Sequence, residues 1–150
     1  MQLKNILKRK GYIKIELAKL STNHFEVIAK INSVKGRFIL DTGASNSCVS
    51  IDLAEKFELE LEDSDTKAAG AGAIGMETKI SSNNKISLGK WSYNKFNLVL
   101  LDLSHVNMAL TEHNAEPVDG IIGADILEKG EAIIDYKNQC VYLKKLVYKF

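Results

Sequence analysis

Apolar and polar positions change period several times along the chain, and each change marks an element. Leu3, Ile6 and Leu7 recur at helical spacing before Gly11, with Lys4, Lys8, Arg9 and Lys10 around them, so the chain is predicted to begin with a short basic amphipathic helix. Ile13, Ile15 and Leu17 then alternate with Lys14 and Glu16, the period of a half-buried strand predicted over residues 12–20. Residues 25–31 and 36–41 are two more strand-like runs. Asn32-Ser33-Val34-Lys35 between them suits a hairpin loop, and the hairpin delivers Asp41 at its end. Residues 47–50 read as extended. A short helix is predicted over residues 51–57, with Leu53 and Phe57 four apart and Ser50 as its start signal, and the acidic tract 58–63 is predicted to be a solvated connection.

In the second half, residues 80–91 read as a hairpin, with Ile86 and Leu88 forming a strand before Gly89. Residues 96–101 are a strongly apolar strand ending at Asp102. From Leu103 to Ala115 the alternation is lost, and Val106 and Leu110 permit a short helix before Pro117 breaks the pattern. Residues 132–136 and 140–148 predict a closing hairpin joined by Lys137-Asn138-Gln139. The pattern is mainly β with short helices, and 150 residues suffice for one domain, 1–150, with a substantial core.

Composition narrows the partners. Charged residues make up 26% and nearly cancel at a formal net charge of +1, so nothing in the totals calls for a nucleic acid or an acidic surface. Ten Gly and one Pro fit neither a collagen-like nor a disordered chain. Cys48 and Cys140 have no Cys or His at metal-ligand spacing and read as ordinary buried thiols, compatible with a reducing compartment and an expected cytoplasmic location. The first ten residues lack the continuous apolar core of a signal peptide and no stretch is long enough to span a bilayer, so the mature chain is expected to begin near Met1. The basic first helix is the one feature that could touch a membrane or a nucleic acid. A single basic turn does not carry either partner.

Three stretches carry candidate chemistry. Phe38-Ile39-Leu40-Asp41-Thr42-Gly43-Ala44-Ser45 runs from an apolar strand into a tight turn that holds one carboxylate at the strand's end. A bare Asp-Thr-Gly would be read as a turn; the apolar run before it leaves the carboxylate at the end of a buried strand, where it can work. Gly70-Ala71-Gly72-Ala73-Ile74-Gly75 has the spacing of a dinucleotide loop, but no helix-forming segment follows it, so dinucleotide binding is rejected. Its backbone amides could hydrogen-bond an extended chain. In the third stretch, residues 118–127, Asp119 reads as a turn residue and Asp125 as an acceptor at a helix start. His105 and His113 stand eight apart, a spacing that matches no metal pair, and are read as surface histidines. No metal and no cofactor is predicted.

In this order the three stretches resemble the signature of the retropepsin-like aspartic protease family, single-domain peptidases of half length that dimerise. The resemblance covers roughly residues 25–127; the N-terminal segment and residues 103–117 have no motif-level match. It implies a closed β-barrel of the acid protease fold with short helices, each chain being one protomer of a homodimer. It implies that Asp41 is catalytic, that Thr42 bonds across the dimer axis, that Gly43 lets the chain pass close to the partner carboxylate, and that Ala44 packs below. Ser45 stands where retroviral members commonly carry an acidic residue. Gly70, Ala71, Gly72, Ala73, Ile74 and Gly75 fall at the place of the substrate-covering flap, and Ile121, Ile122 and Gly123 at that of the segment supporting the turn. Aspartic peptidase chemistry needs two carboxylates sharing a proton, and this chain offers one such motif, so the site is expected on a twofold axis. The function expected is an aspartic endopeptidase acting on extended polypeptide at acidic pH. The alternative is a non-catalytic or latent peptidase-fold module that binds protein.

Overall fold

A computed structural model of the chain describes residues 2–63 and 78–146. The candidate flap, 70–75, and the end of the predicted last strand, 147–148, lie outside the described residues. Helix α1 spans Leu3–Arg9, followed by β1 Tyr12–Glu16, β2 Ala18–Lys19, β3 Phe25–Ile31, β4 Val34–Leu40, β5 Cys48–Ser50 and β6 Glu62–Asp63. Then come β7 Lys79–Leu88, β8 Trp91–Leu101, α2 Ser104–Glu112, β9 Gly120–Ile122, α3 Ala124–Lys129, β10 Ile133–Asp135 and β11 Cys140–Lys144. The mainly β reading with short helices holds.

Strands run in the order β3-β4-β9-β5-β8-β7, and pairing of Lys30 with Ser87 and Ile31 with Ile86 joins the first to the last. The result is a closed six-stranded barrel, which leaves the short strands β2 and β6 as extensions of the sheet instead of long open edges. Period-two alternation decides what enters it. Phe25, Val27, Ala29 and Ile31 of β3 point inward and pack with Phe38, Leu40, Val49, Leu98 and Leu100. A separate sheet, β1-β11-β10, covers one side, adding Ile15, Val141 and Leu143 to the same core, and the Trp91 indole donates to the Lys144 carbonyl at 2.9 Å. Among the described residues no helix is long and apolar enough to cross a membrane.

Several expected boundaries move. The strand predicted over 12–20 is divided at Leu17: β1 pairs with β11 and β2 with β3, so one alternating run serves two sheets. The hairpin loop is two residues, Asn32 and Ser33 with φ of 51° and 70°, so Val34 and Lys35 join the strand. The Asn32 side-chain Nδ2 donates to the Phe57 carbonyl at 2.9 Å, anchoring that tight turn. The helix predicted over 51–57 is a single 3-10 turn, Ile51–Leu53, and Ser50 makes no side-chain cap; its hydroxyl bonds Asp52 instead. The acidic tract is not wholly solvated, since Leu59 is buried in the core and Glu62 pairs with Ile80. The hairpin predicted over 80–91 turns at Gly89 and Lys90, and its second strand is one eleven-residue element starting at Trp91.

Candidate active site

The β4 strand ends where its inward residues, Phe38 and Leu40, have filled the barrel, and Asp41 opens the turn that leads to β5. The Asp41 amide donates to the Ile122 carbonyl at 2.9 Å, extending the β4–β9 ladder by one rung and fixing where the carboxylate begins. Carboxylate Oδ1 accepts the Gly43 amide at 2.8 Å, and the Asp41 carbonyl accepts the Ala44 amide at 3.2 Å. The side chain is thereby held against its own turn, half-buried, while Thr42, Gly43 and Ser45 are exposed.

Strand β9 supports this turn from beneath. It runs parallel to β4, with Ile39 opposite Ile121 and Leu40 opposite Ile122, and antiparallel to β5, with Cys48 opposite Ile121. Threading one strand between the two arms of a loop demands small residues. A Cβ on Gly120 would stand 2.1 Å from the Cys48 carbonyl oxygen, and one on Gly123 2.5 Å from that of Ala44.

The far end of the turn is gripped by Asp125. Its Oδ2 accepts the Ser47 amide at 2.9 Å and its Oδ1 the Ser47 hydroxyl at 2.6 Å, while the Gly123 amide donates to that same hydroxyl oxygen at 2.9 Å. The Ala124 amide reaches the Ala44 carbonyl at 2.7 Å. Asp125 therefore does more than the helix-start role expected of it: it accepts the Ile126 amide at 2.8 Å, yet Gly123 and not Asp125 is the N-cap, and its main partner is the catalytic-type turn. Asp119 is a turn residue with a second duty. Its Oδ2 accepts the Arg37 amide at 2.9 Å and lies 3.4 Å from the Lys56 ammonium, tying β4 to the entry of β9.

A cavity of about 1120 Å³ opens beside Asp41, floored by Ile39, Cys48, Leu101 and Ile121. The floor belongs to a second apolar cluster, in which Ile39, Cys48 and Ile121 join Leu103 and Leu110 of the α2 region, and these residues also line the cavity. Burial pushes the Cys48 thiol up to about 12, with Asp125 and Asp41 adding to the effect against a lowering backbone hydrogen bond from Ile121. That thiol is protonated at physiological pH and is no nucleophile. Both cysteines are free and buried. Among the described residues no group of three or more His, Cys, Asp or Glu could hold a metal ion.

Of the residues singled out in the sequence, Asp41, Gly43, Ala44, Ser45 and Ile121 meet on this one cavity. Ile122 instead points into the barrel core, and Gly123 lies under Ala44. His105 and His113 are exposed as expected, but both line the cavity. Two features escaped the sequence reading. The Ser47–Asp125 clamp joins positions 78 apart, and no local pattern announces it. The wall built by α2 had only the lost alternation as a signal.

A six-stranded barrel with its Asp-Thr-Gly turn crossed from below by an apolar-apolar-Gly strand defines a retropepsin-like fold. Comparison with solved structures agrees: a retropepsin-like aspartic protease from Rickettsia conorii superposes with a TM-score of 0.61 at 21% identity, covering 90% of this chain and 91% of that one. The EIAV protease complexed with the inhibitor HBY-793 gives 0.53 at 21% identity over 82% of this chain and 91% of its own. The retroviral protease-like domain of Ddi1 from Leishmania major gives 0.50 at 20% identity, covering 81% and 93%. No curated protein sequence matches the chain. The aspartyl protease family model matches residues 27–126, and the chain belongs to that family.

Proposed function

We propose that the chain, a single domain over residues 1–150, is one protomer of a homodimeric aspartic endopeptidase, in which Asp41 of each copy supplies half of a water-activating dyad. The observation that carries this reading is a carboxylate fixed by the Gly43 amide at the edge of a large, mostly apolar cavity, on a turn whose Thr42 and Gly43 face solvent. One protomer supplies one such carboxylate. Sharing a proton requires a second within hydrogen-bond reach, so exposure of the turn is what a twofold partner would need. In the assembled site one Asp41 accepts a proton from water while the other, protonated, polarises the scissile carbonyl; the attacking oxygen adds to the carbonyl carbon and the amine leaves with a proton. Thr42 bonds across the axis, and Ala44 and Ser45 meet substrate backbone. Residues 70–75 cover the bound peptide, and Ile121, Ile122 and Gly123 hold the turn from below.

Cleavage of an unfolded polypeptide at acidic pH, with inhibition by a statine-type transition-state mimic, is the expected result. Asp41→Asn is expected to abolish turnover while leaving the unfolding temperature unchanged. Equal turnover by both proteins would refute the assignment. Sedimentation that finds full activity in a strictly monomeric protein would refute the shared site and leave Asp41 standing. Binding of polypeptide with no cleavage at any pH would favour the protein-binding alternative.

A further inference from the structure

Residues 103–117, where the sequence offers no chemical motif, form a wall of the cleft. Three attachments fix α2 in place. Leu103 and Leu110 are buried in the apolar cluster that lines the cavity. The Asn107 side chain accepts the Val118 amide at 2.8 Å and donates to the Val118 carbonyl at 3.2 Å, pairing with the chain as a strand would. At the far end the Ser21 hydroxyl donates to the His113 carbonyl at 2.6 Å, which ties the loop between β2 and β3 to the helix end. A helix held in this way presents one stripe to the cleft: His105, Val106, Ala109 and His113 all line the cavity that holds Asp41.

The chain has three histidines, and the third, His24, lines the same cavity from the β2–β3 loop. Apart from Asp41 and the protonated Cys48 thiol, these imidazoles are the only titratable side chains of the described lining, which holds no Lys, Arg or Glu. Two rings have one nitrogen already engaged. His113 Nδ1 meets the Ala109 carbonyl at 2.9 Å and must donate to it, and His24 Nδ1 lies 2.8 Å from the Thr22 hydroxyl. For His113 the remaining nitrogen, Nε2, accepts when the ring is neutral and donates only when it is protonated. An anionic group in the cleft is therefore rewarded by the cationic ring alone. The carboxylates near these rings are Asp102, whose charge interacts with His105, Glu112, adjacent to His113 in the chain, and Asp41 itself.

We propose that α2 is the specificity wall of the cleft, and that His105 and His113 together with His24 select an extended peptide carrying an acidic side chain close to the scissile bond. The proposal rests on the peptidase reading. It adds a substrate class, because Val106, Ala109 and the apolar floor accept a bulky neighbour while the imidazoles decide the charge. A protonated imidazole attracts a carboxylate and a neutral one does not, so the preference is expected to depend on pH. Each attraction, at a partly solvated distance of several ångströms, corresponds to about a 3- to 10-fold preference.

The test uses the full-length protein and pairs of peptides identical except for Glu or Gln at each position flanking the cleavage site. At pH 5 the Glu/Gln ratio of kcat/KM is expected to be about 3- to 10-fold at one or two positions, and to approach unity at pH 7.5. In His105→Gln/His113→Gln, with folding verified by thermal unfolding, the ratio at pH 5 is expected to collapse toward one; His24→Gln lowers it in part. A wild-type ratio of one, or an unchanged ratio in the double variant, overturns the proposal. If no peptide is hydrolysed the peptidase reading fails, and fluorescence anisotropy with Asp41→Asn protein then decides the question. Tighter binding of the Glu peptide that depends on the histidines supports the wall, and equal or absent binding of the two peptides overturns it.

Discussion

Replacing Ser47 by alanine removes a single oxygen from the support of the Asp41 turn. Ser47 is fully buried, and its hydroxyl both donates to Asp125 at 2.6 Å and accepts from the Gly123 amide at 2.9 Å. The substitution deletes one hydrogen bond to a charged group, worth about 1.5–3 kcal/mol, and strands a buried amide at a cost of about 1–3 kcal/mol. Asp125 keeps the Ser47 and Ile126 amides, so it is not left unpaired, and the net loss is expected near 3 kcal/mol. That is a large share of the roughly 5–15 kcal/mol that holds a domain folded, and corresponds to a fall in Tm of about 10 °C. Urea unfolding followed by Trp91 fluorescence measures it directly, since the sole tryptophan is buried in the core. Because the clamp sets the far end of the turn, kcat is also expected to fall about 10- to 100-fold, more than KM changes. Ser47→Thr keeps the hydroxyl and is expected to restore most of both. A loss below about 1 kcal/mol would mean that the Ala44–Ala124 bond and the β9 ladder hold the turn without Ser47, and the positioning argument would fall.

Gly120→Ala is expected to disrupt folding, because its new methyl meets the Cys48 carbonyl oxygen at 2.1 Å and backbone cannot yield as a side chain can; soluble protein of wild-type Tm would contradict that geometry. Cys48, its thiol raised to about 12 by burial, is expected to resist iodoacetamide at pH 8 in the folded protein and to react on unfolding, as followed by mass spectrometry. Since its folded pKa lies above the usual thiol value, the native state should lose stability as pH rises beyond about 9, and flat stability from pH 8 to 11 would refute it. Asp102 accepts the Ser104 hydroxyl and amide at the start of α2, which lowers its pKa. Its support is therefore complete above the ordinary carboxylate value and is lost only as pH falls through the depressed one. The α2 wall should survive at pH 5, and amide exchange that shows α2 open there would contradict this.

How much was legible depended on the range of the interaction. The β3–β4 hairpin and the tight turn after Leu40 are written in short-range alternation and turn chemistry, which place their limits to within a residue or two. The division of residues 12–20 between two sheets was not, because alternation specifies a pleated strand and says nothing of which neighbour pairs with it. Likewise the short helix near Val106 was legible, but the cavity it faces was not, since that face is decided by Asn107 reaching Val118.

The sequence by itself determined the local chemistry of this protein: one Asp-Thr-Gly turn after an apolar strand, an apolar-apolar-Gly element, and a mainly β pattern, all carried by propensities and periods that act over a few residues. Only the tertiary structure decided that β9 threads between β4 and β5, that Ser47 and Asp125 meet, and that three histidines far apart in the chain share one cavity with Asp41. Those facts follow from barrel closure, which brings distant strands to adjacent places, and no local pattern encodes which distant residues closure will join.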